Sequence, residues 1–548
     1  MEGRIRSSLL HPEIQPASWK LIAGAAIIVA VCFTNSLPND FILDDHQVVA
    51  LNPAIRAISP LQFLRTPYWG VTSDSGIYRP LSIFSFSLEY PLWRQWAGGY
   101  RLTNLLLHTI NGILVFFVAR SLLQSAAAAG IVGAIYLAHP VHTEPVVGLA
   151  GRSELLAALF FFSAWILFRK GRTVWCAVVF LLALFSKENA IALPGVLLLD
   201  ALIAGRSRQK IRETVLALAP VCSAAILYLG VRLWVLGRLG VPQPAQYLEG
   251  TLTFAQRVLT SGRVFLKYFQ LLLAPVNVTG DYDFNSIPVA TPQDGVAWLG
   301  LALIVLTIVV AMGLIRTQPI FAFAILFFYV TMFPTSNWIM PTAIIMSERG
   351  LYLPSLAVCL VVGLFWARVA NAPVRRLLAG GVIATAAMLC IAHNYLWRDD
   401  LTYYGNMVRV LPNNVRGRQG YGVALTEAGH LEVAKEQFEA GLAIKRNAPL
   451  LVGLGQALMQ MDRGCGRAGP VLEEALTIQP SDPFARWLIG RCLETEDRLQ
   501  EAEASYRKAI DNTQFPHPKM LADWGRTLEK TGRHDEAQEA YRRAALLN

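Results

Sequence analysis

The chain has 548 residues, of which 54% are hydrophobic and only 16% are charged, and its mean hydropathy is +0.42. This composition excludes an ordinary soluble globular protein and indicates a polytopic membrane protein. Basic loops on one side of a membrane explain the formal net charge of +10, so the charge does not indicate nucleic-acid binding.

Eleven apolar runs follow one another within residues 1–397, and most approach or exceed the roughly 20 residues with which a helix crosses a bilayer. We interpret the first run as an uncleaved anchor, because it lacks a clear small-residue cleavage site. The sequence therefore predicts a membrane domain of about eleven spans over residues 1–397. The runs are Leu21–Asn39, Leu102–Ala119, Ser121–Thr143, Leu155–Phe168, Thr173–Ser186, Asn189–Leu199, Thr214–Val231, Val296–Ile315, Thr317–Ser347, Gly350–Ala367 and Leu377–Trp397.

Lys and Arg residues concentrate in alternate loops, which predicts that those loops are cytoplasmic. This orientation requires that Arg257–Pro275, which carries Arg263 and Lys267, lies at the membrane interface instead of crossing. It places the N-terminus inside and everything after Trp397 outside. The predicted cytoplasmic residues are Arg4, Arg6, Lys20, Arg120, Arg169, Lys170, Arg172, Arg206, Arg208, Lys210, Arg212, Arg316, Arg368, Arg375 and Arg376.

Acidic and basic side chains collect at the outer ends of the predicted spans. The first outer loop begins with FILDDHQ, which contains Asp44 and Asp45, and it also carries aromatic residues that suit interfacial helices, among them Tyr68 and Trp69. Ionisable groups beside a bilayer indicate a functional site, although any one pair is about equally consistent with a structural ion pair. The other members are Arg79, His142, Glu144, Arg152, Glu154, Lys187, Glu188, Glu348 and Arg349.

The hairpin around Lys187 is short for a membrane crossing. Between Arg172 and Gly205 each leg has about 16 residues, or roughly 24 Å of helix, against a hydrocarbon core of roughly 30 Å. We therefore expect Lys187 and Glu188 to lie below the outer surface, in a water-filled cavity that admits an anion.

A carboxylate held beside cationic groups is what sugar transfer from a lipid phosphate requires. The carboxylate acts as general base on an acceptor hydroxyl, and Arg or Lys stabilises the charge that develops on the leaving phosphate. Two adjacent carboxylates point apart, so we expect one to face the acceptor and the other to orient the site.

Residues 412–548 differ from the rest in composition and in period. Alanines recur about every 34 residues, a spacing typical of tetratricopeptide repeats, and glycines occupy positions where paired helices must approach closely. We predict an α-solenoid of about four repeats, of which the second is the least regular. The simpler interpretation of these repeats is a generic protein-binding scaffold. No metal-ligand spacing appears, and whether Cys465 and Cys492 pair is left open. The repeat alanines are Ala434, Ala468, Ala502 and Ala537, and the glycines are Gly422, Gly490 and Gly525.

Together these motifs resemble the transmembrane and tetratricopeptide-repeat-containing O-mannosyltransferases and their bacterial relatives. The resemblance runs in order through DD, YRPLS, LTNLLLHTIN, HPVHTEPVVGLAGRSELLAALFF, SKEN, SERGLYLPS and WRDDLTYYGNMVRVLPNN. It implies an all-α GT-C-type glycosyltransferase of a bacterial inner membrane, with a polyprenyl- or dolichyl-phosphate sugar as donor and no cofactor. It also implies that the acceptors are Ser or Thr hydroxyls of exported proteins bound by the repeats, and that the transfer inverts the anomeric carbon.

In that family the acidic pair of the first outer loop is catalytic, which assigns Asp44 as base and Asp45 as its neighbour. Donor phosphate is expected at Lys187, Arg349 and Arg152, while the remaining charged residues of the outer face contact substrate. Two alternatives stay open: a non-catalytic scaffold that recruits partners through its repeats, and a related enzyme with a lipid or polysaccharide acceptor. A transporter is disfavoured, because few ionisable groups lie at mid-depth.

Overall fold

The computed structural model describes residues 19–56, 63–69, 76–203, 208–239, 252–282, 286–338, 344–513 and 516–547. Helices account for 79% of the chain, and no strand longer than an isolated bridge occurs among these residues, so the predicted all-α class is confirmed. Some predicted cytoplasmic residues lie outside the described part: Arg4, Arg6, Arg206 and the side chains of Arg208 and Lys210.

The chain folds into two compact units, and the second begins at Asp400. The helices of the first unit are α1 (Trp19–Phe33), α2 (Pro80–Trp93), α3 (Ala97–Leu123), α4 (Ala126–Ala138), α5 (Thr143–Val147), α6 (Arg152–Arg169), α7 (Thr173–Ser186), α8 (Leu193–Ile203), α9 (Arg208–Ala217), α10 (Ala219–Leu236), α11 (Phe254–Leu273), α12 (Gly295–Leu314), α13 (Pro319–Met332), α14 (Leu356–Arg368) and α15 (Ala372–Leu396).

Each of the eleven predicted apolar runs contains a helix, which makes the protein a multi-pass membrane protein. Six helical segments are long and apolar enough to cross a bilayer by themselves. The others are shorter, including α7 with 14 residues and α8 with 11, the two legs of the Lys187 hairpin. The six long segments are Trp19–Ser36, Ala97–Leu123, Leu149–Arg169, Ile211–Leu236, Gly295–Leu314 and Ala372–Leu396.

The segment predicted to lie at the interface forms the amphipathic helix α11. It starts with a capping box, in which Thr253 and Gln256 satisfy each other's backbone amides. Gly262 packs directly on Gly300 of α12, and a β-carbon on either residue would come within 2.1 Å of backbone on the facing helix. The close crossing therefore needs glycine on both sides. Whether α11 stays at the interface remains a prediction.

The second unit consists of α16 (Asp400–Val410) followed by four antiparallel helix pairs, as the repeat period predicts. In the third pair a β-carbon on Gly490 would lie 2.6 Å from the Tyr506 ring, so the glycine allows the aromatic side chain to fill the space between the helices. The pairs are α17 (Val415–Glu427) with α18 (Leu431–Ile444), α19 (Ala448–Asp462) with α20 (Ala468–Ile478), α21 (Pro483–Thr495) with α22 (Leu499–Asp511), and α23 (Pro518–Lys530) with α24 (His534–Leu547).

A disulfide joins Cys465 to Cys492, a pairing that the sequence left open. Cys465 lies in the turn between α19 and α20, and Cys492 lies on α21. The bond therefore fastens the least regular repeat to the next one.

Candidate functional site

The acidic pair lies just beyond α1, where the chain leaves the first predicted span. Leu43, immediately before the pair, has φ of 50°, a left-handed conformation that is uncommon for a residue with a branched side chain. Asp45 precedes the one-turn helix His46–Ala50. Strain of this kind persists only where surrounding contacts fix the backbone, and Asp45 supplies such contacts.

Asp45 is buried, with 2% of its surface exposed. Its Oδ1 accepts hydrogen bonds from the backbone amides of Leu149, at 2.7 Å, and Ala150, at 3.1 Å. Burial raises the pKa of Asp45 to about 6, while the nearby Arg101 opposes that shift. These contacts tie the loop after α1 to the turn before α6, which is an orienting role.

Asp44 faces a different environment from Asp45. Its Oδ2 accepts a hydrogen bond of 2.9 Å from Nη1 of Arg349, and both side chains are 20% exposed. The same Arg349 donates its backbone N–H to Oε2 of Glu144 at 2.6 Å and brings its Nε within 3.5 Å of Oε1. One guanidinium therefore joins Asp44 to Glu144, which is buried.

Burial raises the pKa of Glu144 to about 8, although Arg349 favours its ionised form. Glu348 is also buried, but it turns away from Arg349. It accepts hydrogen bonds from the backbone N–H of Thr279, at 2.9 Å, and the hydroxyl of Tyr282, at 2.6 Å. Burial raises its pKa as well. Glu348 therefore holds the segment after α11 in place, and of these two glutamates it is Glu144 that contacts Arg349.

A second group of charges contains Arg79, Lys187 and their partners. Arg79 makes a two-pronged ion pair with Glu188, at 3.0 Å from Nε and 2.6 Å from Nη2. Lys187 forms an ion pair with Glu154, which also accepts a hydrogen bond of 3.0 Å from Asn189. Glu188 remains 39% exposed at its side chain, whereas that of Glu154 is 1% exposed. The first pair is open to solvent and the second is sealed.

Electrostatics link these two groups. Burial lowers the pKa of Lys187, and although Glu154 opposes this shift, the positive charges of Arg79 and Arg349 add to it. Three cations therefore act on one region, where each also has a carboxylate partner. The arrangement places a partly exposed carboxylate, Asp44, beside cationic side chains that can pair with an anion in place of their carboxylate partners.

Two predicted site residues lie apart from this region. Arg152 is fully buried and donates to Glu89 at 2.5 Å, to Asn104 at 2.8 Å and to the backbone carbonyl of Tyr100 at 2.6 Å. His142 is also buried and contacts Ser355 through Nε2 at 2.8 Å. Both side chains stabilise the packing of the helix ends.

The structure adds Tyr68, which the sequence assigned to an interfacial aromatic helix. It is 1% exposed. Its hydroxyl donates to the carbonyl of Ala150 at 3.1 Å, and its ring lies 5.1 Å from the Arg79 guanidinium. Asp45 therefore binds the backbone N–H of Ala150, and Tyr68 binds its carbonyl oxygen. A loop tyrosine gives no pattern in sequence that predicts this contact.

The lining of an apolar groove includes Ile191, four residues along the chain from Lys187. The groove has a volume of about 480 Å³ and lies among α8, α11, α12 and α13. Apart from Tyr329 and Ser336, its lining is free of polar side chains. The residues that line it are Ile191, Ala192, Gly195, Phe265, Ile304, Ile308, Tyr329, Val330, Phe333, Pro334, Ser336 and Trp338.

In the described part of the chain, no three His, Cys, Asp or Glu side chains converge in a way that would hold a metal ion.

Comparison with known proteins gives a family match to the second unit. The family model described as tetratricopeptide repeat matches residues 485–514 and 519–548, the third and fourth helix pairs. Among solved structures, the crystal structure of MamA is 20% identical, with a TM-score of 0.23, and the match covers 27% of this chain and 85% of that one.

Several relatives similar to this chain are named protein O-mannosyl-transferases. TMTC3 of Mus musculus is 24% identical over 601 residues, which covers 98% of this chain and 65% of the relative. F38B6.6 of Caenorhabditis elegans is 26% identical over 428 residues, covering 74% and 60%. Tmtc1 of Drosophila melanogaster is 34% identical over 182 residues, covering 31% and 21%. The chain spans less than two thirds of these relatives, and the resemblance predicted from the motifs is confirmed.

Proposed function

We propose that the chain is an integral membrane glycosyltransferase that moves a mannose-like sugar from a polyprenyl phosphate to Ser or Thr hydroxyls of exported proteins. The observation that carries this proposal is the partly exposed carboxylate of Asp44 beside the guanidinium of Arg349. The names of the relatives support a glycosyltransferase.

In this mechanism Asp44 removes the proton from the acceptor hydroxyl. The acceptor oxygen then attacks the anomeric carbon, and the bond from that carbon to the phosphate oxygen breaks. The phosphate leaves with the bonding electron pair, and Arg349 stabilises its charge, with Arg79 adding positive potential. Lys187 and Arg152 are engaged in buried ion pairs, through which they hold the surrounding helices together.

The apolar groove supports a lipid-linked donor. A long isoprenoid chain needs an apolar path, and the lining of the groove includes Ile191, three residues along the chain from Glu188. The repeats supply a second surface, where we propose that the acceptor polypeptide binds before its hydroxyl reaches Asp44.

The proposal places the site and the repeats on the outer side of a bacterial inner membrane. The Lys and Arg distribution supports this orientation. The disulfide between Cys465 and Cys492 supports it independently, because disulfides persist in the periplasm and are rare in the reducing cytosol.

The test is sugar transfer from a polyprenyl-phosphate donor to exported protein in membranes, with expression checked for each variant. General-base catalysis typically contributes about 10²- to 10⁴-fold, so we expect Asp44→Asn to lose activity on that scale and Asp45→Asn to lose less. Asp40→Asn is the matched control, because that exposed carboxylate lies four residues upstream. Transfer at the wild-type rate by a well-expressed Asp44→Asn and Asp45→Asn double variant would exclude this mechanism and leave the scaffold hypothesis.

A further inference from the structure

Arg349 contacts Glu144 through two of its nitrogens and Asp44 through one. Glu144 contacts both the backbone N–H and the Nε of Arg349, whereas Asp44 contacts only Nη1. Nη2 has no hydrogen-bond partner among the residues that the structure describes, and the side chain is 20% exposed. The Nε side of the guanidinium therefore faces the buried Glu144, and its outer edge, formed by Nη1 and Nη2, faces Asp44 and solvent.

Arg349 pairs with Asp44, the proposed base, and is also suited to bind the donor phosphate. A carboxylate paired with a guanidinium is a weaker base, because the cation stabilises its ionised form. The same guanidinium matches phosphate geometry through its outer nitrogens. A phosphate that binds at the outer edge of Arg349 draws that edge away from Asp44, and the loss of its counter-charge makes Asp44 a stronger base.

We propose that Glu144 is a positioning residue, which keeps Arg349 anchored while its outer edge passes from Asp44 to the donor phosphate. Base activation then follows donor binding, because Asp44 is released only when phosphate takes its place. This role deepens the proposed function and rests on it. Glu144 itself touches neither substrate.

The surroundings of Glu144 define what a substitution changes. The charged groups that act on it are Arg349, Asp44 and Glu348, and the hydroxyls of Tyr268 and Tyr282 lie near enough to be affected by its charge. Glutamine in this place keeps one acceptor oxygen of the two that contact Arg349.

The test measures donor KM, acceptor KM and the pH–rate profile of Glu144→Gln. We expect donor KM to rise about tenfold, as for one weakened charge-assisted hydrogen bond, with acceptor KM little changed. The titration of Glu144, whose pKa burial raises to about 8, should disappear from the pH profile. A purely structural role would lower the amount of folded enzyme without moving either quantity.

Asp200→Asn is the matched control, because Asp200 is another buried carboxylate. Asp200 lies toward the C-terminal end of α8, and its partners Trp165 and Arg169 lie toward the C-terminal end of α6. The site lies near the N-terminal ends of these two helices. Asp200→Asn should leave donor KM and the pH profile unchanged. If Glu144→Gln fails to fold, Glu144→Asp keeps the buried charge but shortens its reach toward Nε, and the same rise in donor KM is expected.

Outcomes separate this role from the proposed function. Loss of transfer in Asp44→Asn with an unchanged donor KM and pH profile in a folded Glu144 variant overturns the positioning role alone. Absence of sugar transfer by the wild-type protein overturns the proposed function and this role with it.

Discussion

The sealed ion pair between Lys187 and Glu154 gives a prediction that separates packing from donor binding. The two side chains are 9% and 1% exposed. Replacing Lys187 with Met leaves the Glu154 carboxylate buried with Asn189 as its remaining donor. Breaking a buried pair by removing one partner typically costs about 3–5 kcal/mol, so the variant should melt several degrees lower.

The double variant Lys187→Met with Glu154→Gln removes both charges. Replacing a whole buried pair with neutral side chains is often close to neutral, so we expect most of the lost stability to return. Because the pair carries no net charge and faces inward, donor KM should also stay within about threefold of wild type, an effect below one hydrogen bond to a charged group.

The assays are thermal melting of the protein in detergent and sugar transfer at limiting donor. Lys435→Met is the control, because Lys435 pairs with Glu439 on the exposed face of α18, where an ion pair contributes about 0.3–0.5 kcal/mol. A folded double variant whose donor KM is raised tenfold or more would refute this reasoning and show that Lys187 touches the phosphate. A single variant with unchanged melting would show that the pair is not buried.

Two further predictions concern the repeats and the orientation. The disulfide joins cysteines 27 residues apart, for which loop entropy predicts a stabilisation of about 3.5 kcal/mol. A Cys465→Ser and Cys492→Ser double variant should therefore lower the melting temperature of the repeat unit. An equal melting temperature, with free thiols in the native protein, would contradict the bond. In a background without reactive cysteines, new cysteines at Asn277 and Asp511 should react with an impermeant reagent from outside, whereas one at Lys170 should not; protection of both outer positions would reverse the proposed topology.

Much of the fold was predictable because membrane helices depend on local composition. Apolar runs of sufficient length have few alternatives to a helix in a bilayer, where every backbone polar group must be satisfied internally. The repeat period similarly predicted the helix pairs, since a glycine and an aromatic residue with the spacing of Gly490 and Tyr506 recur in other repeats. Segments whose structure depends on distant contacts, such as the loop that carries Tyr68, gave no comparable pattern.

The partners within the candidate site were not predictable from spacing. The sequence places Arg152 beside Glu154, Lys187 beside Glu188 and Glu348 beside Arg349, yet none of these neighbours forms an ion pair. The structure instead pairs residues from different helix ends: Lys187 with Glu154, Arg79 with Glu188, Arg152 with Glu89, and Arg349 with Asp44 and Glu144. Adjacent residues at the start of a helix point in different directions, so tertiary packing decides which charges meet.

Exposure then decides which of these pairs an anionic substrate can open. Every cation of the site already has a carboxylate partner, so a phosphate binds only where a carboxylate can leave its cation and be solvated. Glu154 is too deeply buried to leave Lys187, because an unpaired charge there has no access to water. Asp44 and Glu188 both reach solvent. Under the proposed function, phosphate binding is therefore expected at Arg349 and Arg79, and the acid that it would displace from Arg349 is Asp44, the proposed base.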